Sequence, residues 1–204
     1  MLREIFPYFE YTSLILAVLF YKKYRNYTFY KYFVLYLINI VLFGVLAGIL
    51  KRNGGTSIQL FNIYTFFEFN LFALIYVNLI NEKNIITFLK YIIFLFNVIY
   101  ISSFYFIILQ SYTVIVEGVC NSVFIILFFR ELLNSERILN YKKLLSFWIS
   151  VGFLLFYLTS IPFFTLLEFH FFNDRLLFFI LYYLIIVFHL CFIYGLITCK
   201  KAED

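Results

Sequence analysis

Apolar runs long enough to cross a bilayer recur along this whole chain, and they restrict what it can fold into. Of its 204 residues, 65% are hydrophobic, whereas soluble domains contain about 45–50% apolar residues. A soluble core has no room for so much apolar surface, so we expect lipid to solvate much of it. The runs cover 5–21, 29–50, 60–80, 84–109, 112–133, 144–164 and 176–198.

These runs predict an all-α integral membrane protein with about seven transmembrane helices. Lipid offers the backbone no hydrogen-bond partners, so a spanning segment must be a helix or a strand of a closed barrel. The runs are too long and too evenly apolar for barrel strands, whose residues alternate in polarity. The connections between them are short, and no linker or second domain interrupts residues 1–204. We therefore expect a single seven-helix domain in which successive helices run antiparallel.

The distribution of Lys and Arg predicts the orientation of the chain. Of the 16 basic residues, eleven fall on one side of the runs, four on the other, and Lys90 lies just inside the fourth run. Cytoplasmic loops collect Lys and Arg, so the N-terminus is predicted outside and the C-terminus inside. This explanation accounts for the net charge of +5 without nucleic acid, which we do not expect as a partner. No cleavable signal peptide is apparent, because YKKYR follows the first run.

Glu68 lies near the middle of the uncharged run 60–80. A carboxylate at that depth costs on the order of 2.5–3.5 kcal/mol on insertion scales. A partner group, a bound cation or protonation must offset this cost. An intramembrane acid is therefore the best indication of function in the chain.

A second acid, Glu117, occupies a similar position in the fifth apolar run. Both runs begin at the outer side with Tyr-Thr, and at 1.5 Å per residue Glu68 and Glu117 are predicted roughly 12 Å and roughly 8 Å from it. Residues four apart share a helix face, which pairs Tyr64 with Glu68 and Asn121 with Glu117. The sequence thus predicts an outward-facing polar site at the residues Glu68, Tyr64, Asn70, Glu117, Asn121, Tyr112 and Glu10.

Three interpretations of this site remain open. It is suited to binding a proton, a cation or a cationic group from outside. One carboxyl could instead act as a general acid or base on a lipid-like substrate. Alternatively, the polar groups form a hydrogen-bonded network that only fixes helix packing.

Other polar residues give weaker signals. His189 is predicted to be a neutral histidine bonded to a neighbouring helix, and Glu168, His170 and Asp174 to lie in a solvated loop. The cysteines Cys120, Cys191 and Cys199 are predicted to be small apolar core residues. We find no metal, cofactor or nucleophile motif. Gly44 and Gly48 form a G-x-x-x-G motif that permits close helix packing, within the chain or in a homo-oligomer.

Some stretches resemble a known group of proteins. The element Asn62-x-Tyr64-Thr65-x-x-Glu68 and, further on, Phe147-Trp148 with Gly152 and Tyr157 are similar to small polytopic inner-membrane proteins of Bacteroidota that have no assigned activity. Another acidic residue is common in the second segment of that group, and this chain has none there. The resemblance implies the topology and a bacterial inner membrane as the location.

We therefore expect a non-enzymatic membrane sensor or accessory subunit of a larger system. Its loops are too short to form an output domain, so a cytoplasmic protein partner would bind at the basic inner face. An oligomeric pore that depolarises the membrane, for example in phage defence, is one alternative. An intramembrane lipid hydrolase of the lysoplasmalogenase type, working through Glu68 and Glu117, is another.

Overall fold

The prediction of an all-helical chain is confirmed. A computed structural model describes residues 2–55, 58–105, 107–168 and 174–199, and contains no strand in these ranges. The helices are α1 (Leu2–Leu19), α2 (Tyr21–Tyr24), α3 (Thr28–Arg52), α4 (Ile58–Leu79), α5 (Lys83–Ser103), α6 (Ile107–Leu133), α7 (Leu145–Glu168) and α8 (Asp174–Thr198), with a 3-10 helix at Glu136–Lys143 before α7.

Six of these helices, α3 to α8, are long and apolar enough to cross a membrane. The chain is thus a helical protein of the multi-pass membrane type. Helix α1 corresponds to the first predicted span but is not among the six, and its 18 residues include Arg3, Glu4 and Glu10.

The predicted boundary between the fourth and fifth runs is wrong. The turn between the fourth and fifth runs lies near 104–105 and not at 110–111, since α5 ends at Ser103 and α6 already includes Ile107. No glycine or proline occurs in residues 84–117, so composition alone could not locate this turn. Pro162 does not end its helix, because α7 continues through it to Glu168.

Successive long helices run antiparallel, and paired contacts along their lengths show this. One end of the bundle, which we call the basic end, carries Lys22, Lys83 and Lys143. At the opposite end α3 leads into a glycine turn, where Gly54 has a φ of 75°. The contacts that establish the directions are Tyr30–Ala17 (α3–α1), Tyr36–Glu68 and Phe43–Tyr64 (α3–α4), Phe66–Tyr100 and Phe69–Phe96 (α4–α5), and Tyr76–Ser150 and Phe72–Tyr157 (α4–α7).

Aromatic rings from α5, α6 and α7 pack against one face of α4. The Phe69 ring stacks on Phe96 of α5 with centroids 3.7 Å apart. The Phe72 ring contacts Phe153 of α7 edge-on, with ring centroids 4.7 Å apart. It also stacks on the ring of Phe124 of α6, with centroids 6.3 Å apart. Glu68 lies on the packed face of α4 and is 8% exposed, whereas its neighbour Phe67 on the outer face is 47% exposed.

Two glycines allow α7 and α8 to approach closely. A Cβ on Gly195 would lie 2.8 Å from the Cβ of Trp148, and one on Gly152 would lie 3.1 Å from the Cβ of Cys191. The G-x-x-x-G motif of α3 is packed less tightly. A Cβ on Gly44 would lie 3.9 Å from Glu10 Oε2 of α1, and one on Gly48 would have nothing described within 4 Å. A homo-oligomer through Gly44 and Gly48 stays a prediction.

The close packing of α7 on α8 predicts that alanine substitution affects stability differently at two glycines. We expect Gly195→Ala to lower the melting temperature of the detergent-solubilised protein by about 5 °C, because overpacking costs roughly 1–3 kcal/mol. Gly48→Ala is the matched control, since its added methyl group meets open space and favours the helix. Equal melting temperatures for the two variants would contradict the packing described here.

Candidate functional site

Glu68 is held by tyrosines from two other helices. The hydroxyls of Tyr36 (α3) and Tyr157 (α7) both donate to Glu68 Oε1, at 3.0 Å and 3.1 Å. The two hydroxyl oxygens lie 3.3 Å from each other. Tyr64, one turn before Glu68 on α4, is a further close electrostatic neighbour of the carboxyl. Only 8% of Glu68 is exposed, so these hydroxyls replace the water that the carboxyl has lost.

Glu117 of α6 lies beside this centre and is less well satisfied. It interacts electrostatically with Glu68 and with Asn121, one turn further along α6. It is 3% exposed and Asn121 is fully buried. Within the described ranges, Glu117 Oε1 and both polar side-chain atoms of Asn121 have no hydrogen-bond partner. Buried groups of this kind are rare in native structures and each requires an explanation.

Each of the two acids lies near the middle of its helix. Each is about ten residues from the first residue of its helix, or about 15 Å along the axis. The prediction put Glu117 nearer to the outer end of its helix because the predicted run began at residue 112, whereas α6 begins at Ile107. Both acids are therefore central and not near one end.

The structure brings together four of the seven predicted site residues, namely Glu68, Tyr64, Glu117 and Asn121. Asn70 instead pairs with Asn97 of α5 through reciprocal amide bonds of 3.1 Å and 3.2 Å. Tyr112 is 39% exposed near the start of α6. Glu10 lies against Gly44, and no interaction with Glu68 or Glu117 is found for either residue in the described part of the chain.

Sequence reasoning missed the residues that hold Glu68. Tyr36 and Tyr157 are two of 19 tyrosines, and nothing in their local sequence distinguishes them from the rest. Tyr157 belongs to a quoted element of the resemblance, but its role was not inferred. Asn39, one turn from Tyr36 on the same face of α3, also has a buried amide nitrogen without a partner among the described residues. A buried tyrosine hydroxyl or amide needs a polar partner, but the sequence does not show which of its tyrosines are buried.

His189 bonds to a neighbouring helix, as predicted. Its Nδ1 lies 2.8 Å from Ser13 Oγ of α1, and both side chains are buried. His170 and the side chains of Glu168 and Asp174 lie outside the described residues. Among the residues that are described, no group of three or more His, Cys, Asp or Glu side chains could hold a metal. Cys199 is buried, and Cys120 and Cys191 are half-buried free thiols.

Comparisons with known proteins do not extend this description. No family model, curated protein or solved structure matches the chain. The interpretation of the site therefore depends on its geometry.

The chemistry open to this centre is the exchange of a proton or a small cation. Two carboxyls that interact in a dry interior are strongly disfavoured if both are ionised. A shared proton removes that repulsion and gives one carboxyl a donor. Glu117 Oε1 and Asn121 Oδ1, both unpaired acceptors, are the atoms that such a donor or a cation would satisfy.

Removal of one tyrosine hydroxyl tests how Glu68 is stabilised. We expect Tyr157→Phe to lower the free energy of unfolding by about 1–3 kcal/mol, because a buried carboxyl loses a donor. A double-mutant cycle with Tyr36→Phe, followed by reversible unfolding in detergent, should give non-additive losses, since both hydroxyls bond one oxygen.

The control is Tyr91→Phe on α5, whose ring is 69% exposed and for which no hydrogen bond is found in the described residues. It should leave stability within about 0.5 kcal/mol of the wild type. Strictly additive effects of Tyr36→Phe and Tyr157→Phe would show that Glu68 does not depend on the pair.

Proposed function

We propose that this chain is a non-enzymatic, multi-pass protein of a bacterial inner membrane that acts as a sensor or accessory subunit of a larger system. Its responsive element is the pair of acids Glu68 and Glu117, which share one proton within the bundle. The observation that carries this proposal is the asymmetry of the pair. Two tyrosine hydroxyls donate to Glu68 Oε1, whereas Glu117, which interacts with Glu68, has a buried Oε1 without a partner among the described residues.

The proposal includes seven membrane crossings, because it adds α1 to the six apolar helices α3 to α8. Helix α1 follows the spanning helix α8 along its length. The rings of Phe6 and Tyr182 stack at 5.1 Å, and Ser13 contacts His189 near the middle. Just beyond α1, the Tyr24 hydroxyl donates to the carbonyl of Cys199 at 2.7 Å. A helix that accompanies a span in this way is expected to share its depth in the bilayer.

In this arrangement the N-terminus lies outside and the basic end lies in the cytoplasm. Lys and Arg accumulate on the cytoplasmic side of membrane proteins, and Lys22, Lys83 and Lys143 all lie at the basic end. The proton would reach the pair from the outer side, where α4 and α6 begin. A cytoplasmic partner protein would bind the basic end and respond to movement of the helices.

The two alternatives have less support from the geometry. A hydrolase needs its acids to be open to a lipid substrate, and Glu68 and Glu117 are each more than nine-tenths buried. A pore through one chain needs a polar path, and the rings of Phe69, Phe72 and Phe153 fill the interior around α4. A pore built from several copies would have to form between bundles.

The proposed topology predicts the behaviour of fusion proteins. A green fluorescent protein fused after residue 204 should fluoresce in bacterial cells, because a cytoplasmic C-terminus lets it fold. Alkaline phosphatase fused at the same place should be inactive, and phosphatase inserted after Gly54 should be active. The reverse pattern, or an active phosphatase at both sites, would contradict the proposed crossings.

The shared proton predicts an infrared signal. The wild-type protein should show the C=O stretching band of a protonated carboxyl that shifts in D₂O and on isotopic labelling of glutamate. Glu117→Gln should remove this band because it replaces one acid of the pair. Glu4→Gln, at an exposed residue of α1, is the matched control and should retain it.

A wild-type spectrum without the band would refute the shared proton, and stabilisation of that protein by one monovalent cation would then identify a cation site. The sensor role is tested separately by affinity purification from native membranes. We expect a partner protein whose yield changes in Glu117→Gln and not in Glu4→Gln. If no partner co-purifies with the wild type, the sensor role is wrong.

A further inference from the structure

A cavity of about 330 Å³ lies at the basic end of the bundle, away from the paired acids. The starts of α3 and α7, the end of α4 and the 3-10 helix enclose it. Phe29, Leu79 and Leu145 give it an apolar floor, and each of these residues is more than nine-tenths buried. Its volume is at the lower limit of small-molecule sites. A bare phosphate would not fill this space, and a phosphate with an organic substituent would.

Two cations line this cavity, and no acidic side chain among the described residues does. Arg137 uses one nitrogen, Nη2, for an ion pair with Glu131 at 3.1 Å, which leaves further donors of its guanidinium. Lys143 has no hydrogen bond or ion pair in the described ranges. One cation is thus partly committed and the other is available.

Two long helices also begin at the cavity. Residues of the first turn of α3, Thr28 and Phe29, and of α7, Leu145 and Ser146, line it. No side chain caps the N-terminus of α3. The first N–H groups of a helix point outward without intrahelical partners and carry a partial positive charge, which favours phosphate groups.

One feature opposes an anion, and it is weaker than those that favour it. The C-terminus of α4, with Asn78 and Leu79, borders the cavity and carries partial negative charge. Glu131 lies nearby, but its oxygens accept bonds from the backbone N–H groups of Asn81 and Glu82 as well as from Arg137. With Arg137 and Glu131 counted together as an ion pair, two N-termini and the charge of Lys143 outweigh one C-terminus.

We propose that this cavity binds the phosphate group of an anionic ligand. The phosphate would lie between Lys143, Arg137 and the N–H groups that begin α3 and α7, and the substituent would lie on the apolar floor. Basic pockets between membrane helices are suited to phospholipid headgroups, and a soluble phosphate ester offers the same chemistry.

The test uses the full-length protein in nanodiscs and two probes. One arm varies the lipid, comparing discs of phosphatidylcholine with discs that contain phosphatidylglycerol or phosphatidic acid. The other arm adds glycerol 3-phosphate or inorganic phosphate to phosphatidylcholine discs. Stabilisation against heat and direct binding of labelled probe are measured in both arms. We expect stabilisation in at least one arm, and the arm that responds identifies the source of the phosphate.

Substitutions locate the binding to the cavity. Lys143→Gln should weaken phosphate binding about fivefold, the value expected for one basic group near an anionic ligand. Arg137→Gln should weaken it as well. Lys142→Gln is the matched control, because it removes the same charge at the adjacent residue, which does not line the cavity.

The outcomes decide the matter. A selective loss in Lys143→Gln supports the proposal in whichever arm responds. If neither probe binds, or if Lys142→Gln weakens binding as much as Lys143→Gln, the attraction comes from the whole basic end and the proposal is wrong. Gel filtration of each variant confirms that it remains folded, so loss of the fold cannot imitate loss of binding.

Discussion

The bonds between Glu68 and two tyrosine hydroxyls are the interaction on which the interior of this bundle depends. A carboxyl in the middle of a spanning helix must find its polar partners within the protein, because lipid offers none. Tyr36 and Tyr157 provide them from two different helices. The need to satisfy one acid therefore fixes the rotation of α3, α4 and α7 about their axes and brings the three helices together at one depth.

Other polar groups of the interior follow the same rule. Asn70 and Asn97 satisfy each other, and Ser13 satisfies His189. These pairs bind α4 to α5 and α1 to α8, and they require no ligand. In the part of the chain that the structure describes, Asn39 Nδ2, Glu117 Oε1 and the two polar side-chain atoms of Asn121 are buried without partners, and the last three lie beside a second acid. Satisfied pairs are packing contacts, whereas unpaired atoms can bind a proton or a cation. The proposed function therefore depends on Glu117 as much as on Glu68.

The sequence was most informative where a residue conflicted with its surroundings. Glu68 and Glu117 could be paired in advance because charge in an apolar run is costly and both runs enter from the same side. Tyr36 and Tyr157 could not be chosen, because a tyrosine is compatible with lipid, with the interface and with the core. The turn near 104–105 was misplaced for a related reason, since neighbouring helices, and not a local breaker, decide where that apolar stretch bends.

The two candidate sites lie on the same two helices. Helix α3 begins at the basic cavity with Thr28 and carries Tyr36 about 12 Å further along, and α7 begins there with Leu145 and carries Tyr157 about 18 Å further along. Helices transmit displacement along their axes because their backbone hydrogen bonds resist compression. A ligand that changed the separation of the two N-termini would therefore act on the 3.3 Å contact between the tyrosine hydroxyls. That contact holds the oxygen of Glu68, so the bonds that stabilise the buried acid also join it physically to the basic end.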